Sequence, residues 1–334
     1  MTKPTSFEPP KSHKHRDCGK FITKEKQRYQ RKGYGLISAM IQAFAFFYGV
    51  PQLAYKYWPA IMEWKESSEM SYTYFFLAWS LTQHNLIHLI CNLVYYVYYR
   101  FEFPCIERYK TNYEDPWPWH EDPEGWRQKV RKSILVFTLN SNLIPILIYV
   151  PLTMAGALTQ HTLAYEDLPS PMTLATTVFF CMLCEDATFY WTHRLLHLPQ
   201  LYPYIHKMHH SYTQTVSIAA EYSHPIEFTL GNLLPTSIGP LLLGPNMHIV
   251  TVFAWYMVRV GETLDGHCGY DFSFSPYRLI PMSGSAEYHD YHHSKNVGNY
   301  SSFFSVWDTV FGTNKSYYEE IERRNQSSVE QKDK

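Results

Sequence analysis

The sequence lacks the features that mark a secreted or a nucleotide-binding protein. Its six cysteines show no spacing of a disulfide framework, which favours a reducing compartment. The Cys-x-x-Cys at residues 181–184 lies in an apolar run, which favours helix packing over redox chemistry. Gly-Tyr-Gly at residues 33–35 has no strand before it and no third glycine after it. No dinucleotide-binding domain is therefore predicted, and the formal net charge of -1 gives no general attraction to nucleic acid.

The first residues also lack the apolar core of a cleavable signal peptide, and they are rich in lysine and arginine. A basic segment before the first apolar stretch follows the positive-inside rule. We therefore expect residues 1–33 to form a basic cytosolic tail.

The chain has instead a composition typical of a membrane interface, with 17% aromatic residues, 28 tyrosines and 9 tryptophans. Apolar stretches cover roughly residues 35–50, 72–99, 134–158 and 172–190. About twenty helical residues cover roughly 30 Å of hydrocarbon, so the last three stretches can span a bilayer, whereas the first is short. Residues 103–132 are polar and proline-rich, which predicts an extramembrane loop.

Residues 228–260 are apolar but are interrupted by prolines and glycines. Two complete crossings need about forty residues, and this segment offers fewer. It therefore predicts a re-entrant helical hairpin, which enters and leaves the bilayer on one side. The histidine-rich segments before and after the hairpin must then lie on the same face of the membrane.

Those segments carry the three motifs HRLLH, HKMHH and HDYHH. Their histidines are His193, His197, His206, His209, His210, His289, His292 and His293. Neutral imidazole is a ligand for iron, zinc or copper, and histidines three or four apart on a helix point the same way. Two plus three plus three ligands exceed one tetrahedral zinc ion, so the count favours a binuclear centre. We expect both HxxHH motifs on helices, with Pro203 before the first and Ser285 as N-cap of the second.

Acids and two further histidines accompany the motifs. Asp186 shares a helical stripe with His193 and His197, where its carboxylate would accept a ring proton of a ligand. A plain interhelical contact is the alternative for Asp186. For His224 and His267, which lie beside acids, the sequence leaves open ligation, a contact to a ligand and a structural role.

Glu262 and Asp265 are candidates for contacts behind the ligands, and Glu262 lies one helical turn from Arg259, which favours an ion pair. A separate pair, His84 and His88, lies within an apolar stretch. For this pair, helix–helix hydrogen bonding is favoured over metal ligation.

Over about residues 185–315 the chain resembles the fatty acid hydroxylase superfamily, whose members carry HxxxH, HxxHH and HxxHH motifs around a non-haem diiron centre. The segments HRLLHLPQLYPYIHKMHH, AAEYSHPIE, ETLDGHCGYDFSFSP and AEYHDYHHSKNVGNYSSFFSVWDTVFGT look like those of the sterol C-4 methyl oxidases in it. The resemblance implies that the motif histidines bind two irons and that His224 and His267 complete the ligand set. Nitrogen ligands alone do not select iron over zinc, so zinc stays open as a substitute.

The resemblance implies a membrane-bound monooxygenase that uses dioxygen to oxidise a sterol C-4 methyl group, with a separate sterol decarboxylase acting downstream. Electrons would come from cytochrome b5 or a similar donor, which agrees with the missing nucleotide site. The implied location is the endoplasmic reticulum membrane, with a multi-pass chain whose metal site and both termini are cytosolic.

Two alternatives stay open. The motif spacings hardly separate a C-4 oxidase from another sterol- or lipid-acting member, such as a side-chain hydroxylase or dealkylating enzyme or a C-5 desaturase. A histidine-rich membrane metal carrier is a different class, but its ligands should lie inside the spans near the midplane. Here the main motifs lie outside the spans.

The predicted fold is an all-α integral membrane protein with about four transmembrane helices, a re-entrant hairpin and a cytosolic helical cap that holds a dimetal histidine site. The expected divisions are the basic tail (1–33), transmembrane helices with their loops (34–184), a catalytic domain with the histidine motifs (185–315) and a polar tail (316–334).

Overall fold

The structure, a computed structural model, describes residues 35–112 and 115–330, so the predicted basic tail lies outside it. The described residues form helices and loops, with isolated β-bridges and no extended strand. An all-helical architecture is therefore confirmed for this part of the chain. The main helices are α1 (Leu36–Ser67), α2 (Tyr72–Phe101), α3 (Pro123–Met154), α4 (Pro171–Leu196), α5 (Leu234–Leu243), α6 (Ile249–Gly266), α7 (Ala286–Lys295), α8 (Val306–Phe311) and α9 (Lys315–Glu330).

By length and composition, three of the described helices could cross a membrane: α1, α3 and α4. Helix α2 has 30 residues, but it carries more polar side chains and is not among them. The expectation of a short first span is wrong, because α1 runs for 32 residues through Pro51 and Pro59. A proline removes one backbone hydrogen bond and can kink a helix without ending it.

The polar residues of α2 find partners across helix interfaces. The Asn85 amide donates to the Asn142 side-chain oxygen of α3 at 2.8 Å, so a helix–helix hydrogen bond forms beside the His84 and His88 pair and not through its rings. His84 lies 2.8 Å from the Glu221 carboxylate, which also accepts from the Ser141 hydroxyl of α3. These contacts fix the loop around Glu221 against both helices.

Helix α3 begins earlier than the sequence suggested. It starts at Pro123, within the predicted loop 103–132, because the Asp122 side chain accepts from the Gly125 N–H at 2.9 Å and caps it. An acidic cap followed by proline in the first turn is a helix start signal. The polar DPEG stretch is therefore the start of α3.

The predicted hairpin is present as two helical arms. A π-helical turn, Phe228–Leu233, leads into α5, and Gly244 at φ 49° turns the chain toward α6. The arms bring the segments on either side of the hairpin together, since the Nε2 atoms of His209 and His267 lie 3.3 Å apart. The depth of the hairpin in a bilayer stays a prediction.

Helix α4 packs closely on α5. A Cβ atom at Gly239 would lie 2.8 Å from the Cys181 sulfur, so only glycine allows this approach of the two helices. Cys181 is buried, and both Cys181 and Cys184 are free thiols, which confirms the predicted packing role. On its other sides α4 contacts α1 and α6, so its C-terminal end is held rigidly.

Candidate metal centre

The first histidine motif lies where α4 ends. The helix is continuous to Leu196, as its unbroken apolar pattern predicted, and His197 follows as the C-cap. His193 is buried and its Nδ1 atom donates to the Tyr300 carbonyl oxygen at 2.9 Å. The motif therefore projects from the end of a candidate membrane span into a buried space.

The second motif does not form the α-helix that was expected from its spacing. Residues His206–Ser211 form a 3-10 helix rather than an α-helix, and the turn before them follows Pro203. With this tighter winding the three histidines do not share one face. All three are nevertheless buried.

The third motif lies on α7, as predicted, and the Ser285 hydroxyl accepts from the Tyr288 N–H at 3.2 Å as its N-cap. His292 and His293 are buried, and His289 is partly exposed. The cap fixes where α7 starts and thereby the direction of its first turn.

Nine histidines come together in two adjacent groups. The five-histidine group comprises His193, His197, His206, His210 and His292, and the four-histidine group comprises His209, His267, His289 and His293. Within each group the candidate ligand nitrogens lie within 4.8 Å of one another. The groups share a wall, since the rings of His210 and His293 stack with centroids 4.7 Å apart.

The position of a histidine within its HxxHH motif determines which of the two groups it joins. In each HxxHH motif, the residues four apart enter one group and the middle histidine enters the other. Thus His206 and His210 share a group and His209 joins the other, while His289 and His293 share a group that excludes His292. Each such motif therefore contributes to both groups, which ties the two groups into one centre.

Hydrogen bonds at Nδ1 aim the rings. His193 donates to the Tyr300 carbonyl oxygen, and His267 donates to the Thr263 carbonyl oxygen at 2.8 Å. Main-chain oxygens hold Nδ1 of three others in the same way. They are Tyr222 for His209, Gly298 for His292 and Tyr212 for His293. A carbonyl oxygen cannot donate, so Nδ1 carries the proton and Nε2 of each neutral ring keeps its lone pair.

The Nε2 atoms within each group lie close together. Neighbouring Nε2 atoms lie 3.0 Å apart at His206 and His210 and 3.2 Å apart at His289 and His293. Nitrogens about 2.0–2.1 Å from a transition-metal ion, at angles of about 90–110°, lie roughly 2.8–3.4 Å from each other. The spacing therefore fits nitrogen ligands around an ion.

The surroundings keep these rings uncharged. Burial, reinforced by the neighbouring imidazoles, holds the pKa of His206, His289 and His293 well below its usual value. The same causes lower the pKa of His209 and His292. A neutral ring is the form that binds a metal ion, so this pocket is prepared for ligation at neutral pH.

A buried carboxylate also contacts the centre. Glu227 lies 2.8 Å from Nδ1 of His206, which is the carboxylate–histidine arrangement that orients a ligand and raises its basicity. The sequence assigned that role to Asp186. The acid in the SHPIE segment was visible beforehand, but only the fold shows that it reaches the second motif.

Other predicted contacts lie elsewhere. Asp186 accepts from the backbone N–H groups of Ser302 and Phe304, so its carboxylate holds a loop. Glu262 pairs with Arg259 at 3.1 Å, as the alternative interpretation expected. Asp265 pairs with Arg278 at 2.7 Å. Glu262 and Asp265 are therefore engaged in ion pairs.

Of the two extra histidines, the structure places one in the centre. His267 belongs to the four-histidine group. His224 lies outside both groups, and its Nδ1 accepts from the Ile226 N–H at 3.2 Å, which caps a short helix. The HxxxH pair of α2 also lies outside both groups.

Asp308 is a positioning residue that the sequence did not reveal. Its fully buried carboxylate accepts from the backbone N–H groups of Tyr300 and Ser301, each at 2.9 Å, and from the Tyr288 hydroxyl. It therefore fixes the segment whose carbonyl oxygens, at Gly298 and Tyr300, hold two ligands of the five-histidine group. No side-chain pattern signals such an indirect role.

Two adjacent all-histidine groups, each of which could hold a metal ion, lie at the end of a candidate membrane helix. The fatty acid hydroxylase family model matches residues 178–313. A putative methylsterol monooxygenase of Dictyostelium discoideum is 45% identical over 163 residues, which are 48% of this chain and 60% of the relative. Methylsterol monooxygenase 2-1 of Arabidopsis thaliana is 39% identical over 186 residues, 50% of this chain and 67% of the relative.

A very-long-chain aldehyde decarbonylase of Oryza sativa subsp. indica is 40% identical over 170 residues, 50% of this chain and 60% of the relative. The chain therefore belongs to the fatty acid hydroxylase family, as the histidine motifs predicted. The match covers less than two thirds of the Dictyostelium and Oryza relatives. No solved structure matches the chain.

The two-group arrangement predicts separable metal sites. Combining His289→Ala with His293→Ala removes two of the four ligands of one group, so the metal content of purified protein should fall from two ions per chain to about one. His224→Ala is the matched control and should retain two. Elemental analysis checks this, and the arrangement is wrong if His224→Ala loses an ion or the double variant loses none.

The role of Asp308 predicts a second effect. Asp308→Asn replaces an acceptor oxygen by an amide donor, so the Gly298–Tyr300 carbonyls should shift and metal affinity should fall about 10- to 100-fold. Asp186→Asn is a matched control, because it also loosens this loop but at Ser302 and Phe304. Competition with a chelator measures the affinity, and equal losses in both variants would contradict a specific role for Asp308.

Proposed function

We propose that each histidine group holds one iron ion and that the protein is a membrane-bound, dioxygen-dependent monooxygenase that oxidises a sterol C-4 methyl group. Two adjacent groups built only of neutral imidazoles carry the proposal, together with relatives that are methylsterol monooxygenases. The eight motif histidines and His267 are the proposed ligands. Bound iron would supply the activation of dioxygen, which protein side chains cannot perform.

The chain's own residues would orient and protect that chemistry. The backbone carbonyls and Glu227 hold the rings so that their Nε2 atoms face inward. Most of the rings are buried, which excludes water and prevents side reactions of activated oxygen. His197 and His289 are the partly exposed members, so we expect the reacting molecules to approach along these edges.

A lipid substrate suits an apolar cleft of about 380 Å3 between α3 and the start of the hairpin. Ile144, Leu147 and Ile148 line one side, and Ile226 lies on the other. This volume falls in the usual range for small-molecule sites. Ile226 directly precedes Glu227, so one wall of the cleft connects to a contact of His206.

The cellular setting follows from the family. We propose a multi-pass location in the endoplasmic reticulum membrane with the centre and both termini cytosolic, electrons from cytochrome b5 or a similar donor, and a sterol decarboxylase acting next. In this arrangement residues 34–184 anchor the protein and residues 185–315 carry the chemistry. Zinc would occupy the same nitrogen ligands without redox activity.

A second candidate is removal of a carbonyl group from a long-chain aldehyde, because relatives from Oryza sativa carry that description. A non-catalytic metal carrier is less well supported, since its ligands should lie inside the spans near the midplane, whereas both groups here are built from residues at the end of α4 or beyond it. The three functions differ in the substrate that is consumed and in the product that is formed.

The direct test is turnover of the purified, iron-loaded protein. With a 4,4-dimethylsterol, dioxygen and reduced cytochrome b5, we expect oxygen to enter the C-4 methyl group, and the His289→Ala, His293→Ala variant should lose at least a hundredfold in rate. Mass spectrometry with labelled dioxygen detects the product. A shortened hydrocarbon from a fatty aldehyde would transfer the assignment to the decarbonylase, and rapidly exchanging metal without turnover would favour a carrier.

A further inference from the structure

A polar cleft lies beside the five-histidine group. It is distinct from the apolar cleft at residues 144–148. It has a volume of about 410 Å3 and is lined by Val297, Gly298 and Tyr300 and by residues within 312–319. The Lys315 side chain in its wall is 81% exposed. The cleft therefore opens to water, and its charged lining suits a soluble protein better than a lipid.

Tyr300 joins this cleft to the centre. Its ring is partly exposed, and its centroid lies 4.9 Å from that of His197 and 5.6 Å from that of His193. The ring of His292 is 5.8 Å away. One aromatic ring thus contacts three proposed ligands and also reaches the surface.

The backbone provides further connections. The carbonyl oxygens of Gly298 and Tyr300 accept hydrogen bonds from Nδ1 of His292 and His193, respectively. Both residues line the cleft. Electron tunnelling falls steeply with through-space distance, and bonded or hydrogen-bonded contacts shorten the gaps, so this segment is a short route to the five-histidine group.

The segment is also held firmly. Gly298 has φ 62°, and a Cβ atom there would overlap the Thr313 carbonyl oxygen. Asp308 fixes the Tyr300 N–H at 2.9 Å. A rigid contact keeps its geometry when the charge nearby changes, which favours fast electron transfer.

Cationic side chains and an acid lie at or near the cleft. Lys315 lines it, Lys295 is exposed two residues before Val297, and the positive charge of Arg194 acts on Tyr300. Glu319 is the acid in the lining and lies 3.8 Å from Lys315. Opposite charges steer the encounter of two proteins, so the partner that fits is one with an acidic face.

We propose that a soluble one-electron carrier with an acidic face docks at this cleft and that its electrons pass through Tyr300 and the adjacent carbonyl–histidine contacts. The proposal rests on the monooxygenase function. Each turnover combines dioxygen, one carbon–hydrogen bond, two electrons and two protons into one carbon–oxygen–hydrogen unit and one water. The carrier must therefore deliver its single electron twice, and each transfer oxidises it by one electron.

The test measures electron transfer without substrate. Oxidised, iron-loaded protein is mixed without oxygen with the reduced soluble domain of cytochrome b5, and the haem absorbance follows the transfer. Tyr300→Leu should slow it at least tenfold, whereas Tyr300→Phe keeps the ring and should stay within about twofold of the original protein. Iron content is measured first, and reduction by dithionite should be equal in all three proteins.

Docking is tested separately. Lys315→Glu should raise the cytochrome concentration for half-maximal rate at least fivefold at low salt, whereas Arg131→Glu, at an exposed position of α3, should not. If iron is in place and both Tyr300→Leu and Lys315→Glu transfer electrons at the wild-type rate, the proposed electron route is wrong. The proposed monooxygenase function is not affected by that result. If dithionite reduces none of the loaded proteins, the centre is not redox-active and both proposals fall.

Discussion

The centre depends on one constraint, the direction in which each imidazole points its lone pair. Backbone carbonyl oxygens hold Nδ1 of His193, His209 and His267, and Glu227 holds Nδ1 of His206. A neutral ring has one proton, so fixing it at Nδ1 leaves Nε2 free to bind a cation. Because the acceptors belong to loops and helix ends, the candidate ligands are only as well ordered as the backbone around them.

The dependence of the imidazole rings on the surrounding backbone explains how the helices and loops are arranged. The ligands come from α4, a 3-10 turn, the end of α6 and α7, and these segments meet only because the hairpin returns the chain to its starting point. Burying so many imidazoles is unfavourable if they are charged or unpaired. Their lowered pKa values and their hydrogen bonds at Nδ1 reduce that cost, and a bound cation would remove the remaining repulsion between facing lone pairs. The membrane helices thus serve as a rigid support for a polar centre at their end.

The sequence predicted the parts that follow from periodicity and residue type. Apolar stretches located α2 and α4, and the histidine motifs contain eight of the nine residues that form the two groups. It did not predict the 3-10 turn at His206, because HxxHH spacing fits either winding, nor the length of α1, because prolines hid its continuity. Asp308 could not be found, since it acts through backbone N–H groups that no side-chain pattern records. His224 and His267 looked alike in sequence, and only the fold separates them.

The most direct measurement of the central claim is X-ray absorption at the iron edge of the loaded protein, compared with its metal content. The account predicts two irons per chain, each with a first shell of nitrogen scatterers and imidazole outer-shell features, and with a second iron as neighbour. A single iron, or a first shell made mainly of carboxylate oxygen, would contradict it.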